Sequence, residues 1–303
     1  MKKKDFVIKL LVLVVAFFII DFGLSTVLLR GLNKYYGLEK QTEVLFNGSS
    51  MFMSGFDRNV VENKTGLTVS NYSHEGVSIR ERLEMIKQVY HKHPEGFETV
   101  VFELSPVIFS GVETSANVYT AFFPFMDDES INVYIKEFAT TREYYIRKIV
   151  RTSRFDSRLI VNIIKGYLGK FQNVKTSQLH SRIDEELKAS EGAVNIYMKE
   201  SNIAIFKEAI DLIISKNSKV ILVNMPVYNA KLRTFNVNDY KEFNDFLETY
   251  SLSNSQISYL NMNVDSIISE RKYFSDPLHI NNYGQKVLNS IVSEELNKIT
   301  SIN

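Results

Sequence analysis

The chain has 303 residues, which is enough for one large domain or two small ones. Its 36 lysines and arginines balance 35 acidic residues, so the net charge of +1 gives no electrostatic reason to expect a nucleic-acid partner. Cysteine is absent, which excludes disulfides, a thiol nucleophile and a thiolate metal site.

The N-terminal segment begins with three lysines and continues as an apolar run over residues 6–29. About 20 apolar residues cross a bilayer as a helix, so this run is long enough. A cleaved signal peptide has a shorter apolar region and a small-residue exit, whereas this run reaches Arg30 without one. We therefore predict an uncleaved single-pass anchor over residues 1–30, with the lysines in the cytoplasm and the remaining chain outside. The alternative is a buried helix of a soluble domain.

Asp21 places a carboxylate within this apolar run. A carboxylate in a membrane helix is costly and usually faces protein or water. One interpretation puts Asp21 near the outer interface or at a helix restart. The other has it meet a polar group of a partner membrane protein, and then Asp21→Leu would disturb that complex.

A stalk over residues 31–42 leads to a predicted α/β domain over 43–303. The first part of that domain alternates short apolar strands with helices. The predicted strands are 43–47, 67–71 and 99–104, and the predicted helices are 56–65, starting at Asp57, and 79–90. The second helix has one apolar face, formed by Ile79, Leu83, Ile86 and Val89.

The region over residues 107–192 has little strand pattern and is predicted to be a helical insertion over the ends of the sheet. Helices are expected at 142–153 and 157–168, followed by a polar stretch at 172–190. The insertion is rich in arginine, lysine and tyrosine, which fits either a solvated cover or a surface that binds a sugar polymer or polyanion.

Strands and helices return after the insertion. Helices are predicted at 203–214, 239–250 and 282–296, and strands at 219–224 and 256–260. The strand segments are continuously apolar, which is typical of a parallel sheet that helices cover on both faces. The prediction is a doubly wound, flavodoxin-like α/β domain with five parallel strands in the order 2-1-3-4-5.

Two short motifs fall where such a sheet carries its active site, at the carboxyl ends of the strands. Gly48-Ser49-Ser50 follows the first strand, and Asp276-Pro277-Leu278-His279 precedes the last helix. Serine, histidine and aspartate are the components of a nucleophilic triad. Each motif alone also fits an ordinary turn. Their position at one edge of the sheet is what favours catalysis.

These motifs resemble those of the SGNH/GDSL hydrolase superfamily, in which a Gly-Asp-Ser turn follows strand one and Asp-x-x-His precedes the last helix. The chain looks like the membrane-anchored branch of extracytoplasmic acyl-transfer proteins that modify bacterial envelopes and exopolysaccharides, where Gly-Ser-Ser often stands for Gly-Asp-Ser. The resemblance spans residues 41–300 without a match for the insertion. It implies Ser50 as nucleophile, His279 as general base and Asp276 as the residue that orients it, with no cofactor.

The resemblance also implies an oxyanion hole made of the Ser50 backbone N–H, a glycine after strand two and an asparagine after strand three. Gly76 fits the glycine. The asparagine is missing, because Glu103-Leu104-Ser105-Pro106 stands there, and Ser105 is the candidate donor in its place. Losing one such donor can cost about 10²–10³ in rate. Glu103 would oppose the developing negative charge if it pointed into the site.

The other histidines are not expected to be functional. His74 lies in a predicted polar loop at 72–76, where it fits either a second-site group or a solvated side chain, and we expect it to be solvated. His91 and His93 form a His-x-His pair without a neighbouring carboxylate cluster, so no metal site is predicted.

Together these features predict a membrane-anchored serine esterase or O-acyltransferase that acts on acyl esters of extracellular or cell-envelope carbohydrate through an acyl-enzyme. The alternative is a catalytically weak or inactive accessory or scaffold protein of a membrane acyltransferase or polymer-export system. The predicted partners are a carbohydrate or acyl-ester substrate, the lipid bilayer and a membrane acyltransferase, with no nucleic acid.

Overall fold

The structure is a computed structural model that describes residues 3–111, 117–171, 173 and 175–300. The predictions for Met1 and Lys2, for 112–116, 172 and 174 of the insertion, and for 301–303 lie outside the described residues. The chain divides into two compact units. Unit 1 comprises Met1–Glu39 and Asn117–Lys170, and unit 2 comprises Lys40–Ala116 and Phe171–Asn303.

The described residues form α-helices, short 3-10 helices and strands. The α-helices are α1 (Lys3–Tyr36), α2 (Ser50–Gly55), α3 (Arg58–Thr65), α4 (Ile79–Lys92), α5 (Glu129–Phe138), α6 (Thr141–Ile149), α7 (Ser157–Tyr167), α8 (Ile183–Lys188), α9 (Glu200–Ser215), α10 (Asn229–Leu232), α11 (Val237–Leu252), α12 (Asp265–Ile268) and α13 (Asn282–Thr300). The 3-10 helices are Val118–Phe125, Arg151–Arg154 and Arg271–Tyr273. The strands are β1 (Val44–Gly48), β2 (Val69–Ser73), β3 (Thr99–Leu104), β4 (Lys219–Asn224), β5 (Ile257–Asn261), β6 (Phe274–Asp276) and β7 (His279–Ile280).

Unit 2 is built on a five-stranded sheet in the order β2-β1-β3-β4-β5, and every neighbouring pair is parallel. This confirms the predicted fold class and strand order. Helices cover both faces, which is why the central strands β1 and β3 are mostly apolar and are buried along their whole length. On one face, Phe46 packs with Phe52, Leu288 and other core residues. On the other, Phe102 contacts Phe206 of α9.

The second strand lies two residues later than predicted. Pairing sets its start, because Val69 is aligned with Val44 of β1. Tyr72, which was predicted to be in a polar loop, is therefore a strand residue that is fully buried, and its hydroxyl donates to Gln88 of α4 at 2.5 Å. A buried tyrosine that has a hydrogen-bond acceptor is stable in a strand, so its polar neighbours misled the sequence prediction.

Two helices follow the first strand, where only the one at 56–65 was predicted. The first, α2, starts directly at the serine turn, where the Ser49 side chain accepts a hydrogen bond from the Met51 N–H. It ends at Phe56, whose backbone is extended. The second, α3, begins at Asp57 as predicted, and the Asp57 carboxylate accepts from the Asn59 N–H.

In unit 1, Lys4–Tyr36 is the one stretch of the described residues that is helical, long and apolar enough to cross a membrane, and its most apolar 18-residue window has a mean hydropathy of 2.7. Residues 3–30 of the predicted anchor and residues 31–36 of the predicted stalk, half of its length, form this single helix, α1. Its C-terminal part packs closely on α7, because a Cβ added at Gly166 would collide with the Gly31 carbonyl oxygen. Two glycines at the crossing let the two helix backbones approach.

The insertion contains more structure than predicted. The helix expected at 142–153 is divided at Val150, whose extended backbone separates α6 from the 3-10 helix Arg151–Arg154. Helix α5 was missed altogether. Its signals were present in the sequence: Asp128 caps it by accepting from Ser130 and Ile131, and Ile131, Tyr134 and Ile135 form its buried face.

Asp21 meets a partner within its own chain. Its carboxylate accepts from the Arg151 N–H at 2.7 Å, the Thr152 N–H at 2.9 Å and the Thr152 hydroxyl at 2.5 Å, and only 4% of the residue is exposed. These donors belong to the insertion of the same chain, and a partner membrane protein at Asp21 stays a prediction. Asp21 ties α1 to the start of the 3-10 helix.

We expect Asp21→Leu to loosen this attachment. The change removes the acceptor of two backbone N–H groups, and losing such a cap costs about 1–2 kcal/mol. Amide hydrogen exchange at Arg151 and Thr152 in the full chain should then become roughly 5- to 30-fold faster. Asp5→Leu, in the first turn of α1, is the matched control and should leave exchange at these two amides unchanged. Unchanged exchange in the Asp21 variant would show that the contact does not hold the insertion.

Candidate active site

The serine turn is the junction between β1 and α2. Gly48 ends the strand, Ser49 caps the helix and Ser50 is its first residue. A side chain at Gly48 would not fit, because a Cβ there would lie 2.6 Å from Glu103 Oε2 and 2.6 Å from the Phe52 ring. The glycine thus lets the backbone turn sharply against β3 and presents Ser50 at the carboxyl edge of the sheet.

The structure brings the three predicted triad residues together. Ser50 Oγ lies 2.8 Å from His279 Nε2. On the other side of the ring, His279 Nδ1 lies 2.9 Å and 3.0 Å from the two carboxylate oxygens of Asp276. These are hydrogen-bond distances. With the Nδ1 proton donated to Asp276, Nε2 is the atom that accepts from the Ser50 hydroxyl.

The short hairpin of β6 and β7 holds the acid and the base. Asp276 and His279 are paired across it, and Asp276 Oδ1 also accepts from the backbone N–H groups of Leu278 and His279 at 3.0 Å and 2.9 Å. Partial burial raises the pKa of Asp276, but hydrogen bonds from His279, Lys175 and Leu278 outweigh it and hold that pKa well below its usual range. Asp276 is therefore an anion that faces the imidazole at neutral pH.

Lys175 is a further member of the site that sequence reasoning missed. Its ammonium lies 3.0 Å from Asp276 Oδ2, and its backbone carbonyl accepts from the Asn282 N–H at the start of α13. Both bonds join a segment that was predicted only as a polar stretch to the triad. No local signal could reveal them, since 101 residues separate Lys175 from Asp276.

Glu103 and Arg82 form a buried ion pair under the serine turn. Glu103 is fully buried, and its carboxylate accepts from the Ser49 N–H at 2.6 Å, the Ser49 hydroxyl at 2.7 Å and the Phe52 N–H at 3.2 Å. Arg82 Nη2 lies 2.8 Å from its Oε1, and Arg82 Nη1 donates to the Glu103 carbonyl oxygen. Glu103 therefore holds the turn that carries Ser50, and Arg82 balances its charge.

The three predicted oxyanion donors follow three different strands. Ser50 is the first residue of α2, and backbone N–H groups in the first turn of a helix have no intrahelical acceptor. Gly76 follows β2 and has a left-handed backbone with φ of 72°. Ser105 follows β3, and its carbonyl oxygen accepts from the Ile108 N–H. The carboxyl ends of β1, β2 and β3 share one edge of the sheet, so all three stay candidate donors.

His74 is not the solvated loop residue that we expected. It is 4% exposed, and its ring lies edge-on to Tyr72. Its backbone N–H donates to the Gly48 carbonyl oxygen at 3.2 Å. Burial lowers the pKa of His74 to about 3, so the imidazole is neutral. The prediction was wrong because β2 extends to Ser73, so His74 directly after it lies in the interior beside the serine turn.

Across the ranges that the structure describes, no group of three or more histidine, aspartate or glutamate residues is placed to hold a metal ion.

A protein-family model that carries no description of an activity matches residues 141–301, which is more than half of the chain. The chain belongs to the family of this model. The matched range includes Asp276 and His279 but not Ser50. No curated protein matches the chain.

Several solved structures resemble the chain at low sequence identity. A protein described as an acylhydrolase from Bacteroides fragilis is 12% identical, with a TM-score of 0.43 over 86% of this chain and 88% of that chain. A protein described as lipolytic, of the G-D-S-L family, from Desulfitobacterium hafniense is 13% identical, with a TM-score of 0.41 over 84% and 99%. A gut microbial diltiazem-metabolizing enzyme is 10% identical, with a TM-score of 0.39 over 84% of this chain and 46% of that chain. Similarity this distant assigns no role to any residue.

Proposed function

We propose that the protein is a serine esterase or O-acyltransferase that works through an acyl-enzyme on Ser50. The observation that carries the proposal is the continuous hydrogen-bonded chain from Ser50 Oγ through both ring nitrogens of His279 to Asp276. A serine hydroxyl is a weak nucleophile until a neighbouring base accepts its proton. Ser50 Oγ lies at hydrogen-bonding distance from His279 Nε2, and His279 Nδ1 lies at hydrogen-bonding distance from Asp276.

The reaction has two halves. Ser50 Oγ attacks the ester carbonyl carbon while its proton passes to His279 Nε2, and Asp276 stabilises the resulting imidazolium. The tetrahedral intermediate expels the alcohol, which takes the proton from Nε2, and the acyl group remains on Ser50. Water or a carbohydrate hydroxyl then attacks the acyl carbonyl carbon while its proton passes to His279 Nε2. The bond from the acyl carbon to Ser50 Oγ breaks, the acid or new ester leaves, and Nε2 returns the proton to Ser50 Oγ.

The proposed setting is outside the cytoplasmic membrane of a bacterium, with acyl esters of envelope or extracellular carbohydrate as substrates. The apolar length of α1 and the lysines before it support an anchor in that orientation. The sequence resemblance to the membrane-anchored SGNH/GDSL branch supports the substrate class. The same resemblance suggests a membrane acyltransferase as partner.

A specific observation favours a second candidate function. The segment after β3 lacks the oxyanion asparagine, and the Glu103 carboxylate, near the end of β3, accepts from the serine turn and cannot donate to substrate. A missing donor weakens acyl transfer. A catalytically weak or inactive accessory protein of a membrane acyltransferase or polymer-export system would retain the fold and lose this donor.

Covalent labelling of the full chain in detergent distinguishes the two candidates. We expect a fluorescent serine-directed phosphonate to label the wild-type chain, and Ser50→Ala to abolish labelling because the attacking oxygen is gone. Ser54→Ala is the matched control. It removes a hydroxyl from the same helix, one that donates to the Ser50 and Met51 carbonyl oxygens, and should leave the label in place. An unlabelled wild-type chain that also fails to turn over a chromogenic acetate ester would favour the accessory function.

A further inference from the structure

We propose that α6, the 3-10 helix Arg151–Arg154 and α7 form a second membrane contact, which lies in the headgroup region around the C-terminal end of α1 and binds anionic lipid. We call these three helices the collar. The proposal rests on the membrane-spanning role of α1 that is part of the proposed function. The collar would add a lipid-binding surface next to the membrane-spanning helix.

The position of Asp21 sets the level of the collar along α1. A helix rises about 1.5 Å per residue, so Asp21 lies roughly 22 Å from Phe6, where the apolar run begins. A hydrocarbon core is about 30 Å thick, so a core that starts at Phe6 extends past Asp21. The Arg151 and Thr152 N–H groups donate to Asp21, which places the 3-10 helix beside the last turns of the spanning segment. Asp21 thus lies roughly 7–8 Å inside the outer edge of that core, within the depth of about 5–10 Å to which an interfacial helix buries its apolar face.

Helix α7 carries apolar residues on two faces. One face is buried against α1, where Ile163 lies at the Gly31 crossing. The second face is open, because Val161 and Ile164 are each 52% exposed and Leu168, just after the helix, is 63% exposed. The spacing of three and four residues puts these side chains on one stripe.

Helix α6 adds to the open apolar surface. Tyr145, Ile146 and Ile149 are 56%, 46% and 57% exposed and again share one face. Exposed apolar stripes that adjoin a membrane-spanning helix are typical of helices lying in the interface plane. Tyr145 and Tyr167 suit this level, since tyrosine is enriched where one end of the ring is apolar and the other is hydrated.

The charge of the collar favours lipid over an apolar protein partner. Residues 141–170 contain eight lysines and arginines and two acidic residues, while the whole chain is nearly neutral. Seven of the basic residues are at least partly exposed: Arg142, Arg147, Lys148, Arg151, Arg158, Lys165 and Lys170. The eighth, Arg154, is buried and paired with Asp127, so it does not contact lipid. Basic residues that flank an apolar stripe are the pattern of a helix that binds anionic headgroups. Arg151 also stacks on Phe22 of α1, with 5.1 Å between guanidinium carbon and ring centre.

The absence of tryptophan makes the collar directly testable. Single substitutions Ile149→Trp and Ile164→Trp in the full chain introduce a lone fluorophore. The chain would be reconstituted in lipid nanodiscs that contain phosphatidylglycerol, with bromine atoms on the acyl chains either close to the headgroup or close to the methyl end. Bromine near the headgroup should quench both variants and bromine near the methyl end should quench them less, with emission shifted to the blue relative to the denatured chain.

Val15→Trp, in the middle of the apolar run, reports on the anchor alone. It should show the opposite order, with stronger quenching by the deep bromines. If this variant is not quenched, α1 does not span the bilayer and the anchor is wrong. If it is quenched while Ile149→Trp and Ile164→Trp are not, the anchor stands and the collar is overturned, which leaves its apolar face to a protein partner. Equal shallow quenching in discs of phosphatidylcholine alone would overturn anionic lipid as the ligand.

Discussion

Asp276→Asn should lower kcat/KM for a chromogenic acetate ester by about 10³–10⁴-fold, the scale that this change has in other Ser-His-Asp triads. In this chain both oxygens of Asp276 accept from His279 Nδ1, which places the ring proton on that nitrogen. An amide N–H at the same position favours a proton on Nε2 instead. Nε2 could then no longer accept the proton of Ser50, although the fold and the 2.8 Å contact would persist.

Lys175→Met is the matched control for this prediction. It removes the ammonium group that lies 3.0 Å from Asp276 Oδ2 and leaves both contacts between Asp276 and His279 in place. Its effect on kcat/KM should stay within about tenfold, because Lys175 acts on the orienting residue and not on the base. The comparison is made on wild-type, Asp276→Asn and Lys175→Met chains with matched circular dichroism. An Asp276→Asn enzyme with wild-type kcat/KM would show that the aspartate is not part of the catalytic machinery.

The fold was predictable because its information is local. A continuous apolar run that ends in a glycine or a polar turn marks a buried parallel strand, and β3 and β4 were placed with the right bounds for this reason. Ser50 and His279 could be brought together from the sequence because parallel strands deliver their carboxyl ends to one edge, whatever the distance along the chain.

The groups that support the site were not predictable in the same way. Asp21 and Arg151 are 130 residues apart, and Lys175 and Asp276 are 101 residues apart, so neither pair leaves a periodic signal. Glu103 was recognised only as a possible source of repulsion. Its actual role depends on the side-chain direction at the end of β3 and on a buried arginine from α4, and both follow from tertiary packing.

Breaking the buried ion pair of Glu103 and Arg82 should lower the stability of unit 2. Glu103→Gln leaves Arg82 as a buried cation without its carboxylate, and breaking a buried ion pair from one side costs about 3–5 kcal/mol. The amide also turns a donor toward the Ser49 or Phe52 N–H, both of which need an acceptor. We expect the free energy of unfolding, measured with urea, to fall by that amount, together with the rate of phosphonate labelling at Ser50.

The double variant Glu103→Gln with Arg82→Met separates stability from positioning. Replacing the second partner removes the buried unpaired charge, so a substantial part of the lost unfolding free energy should return. The labelling rate should stay low, since the Ser49 N–H and hydroxyl still lack the carboxylate that fixes the turn. A double variant that regains both stability and the wild-type labelling rate would mean that the ion pair serves the fold alone. Slow labelling in a restored fold would instead identify Glu103 as the residue that positions the nucleophile.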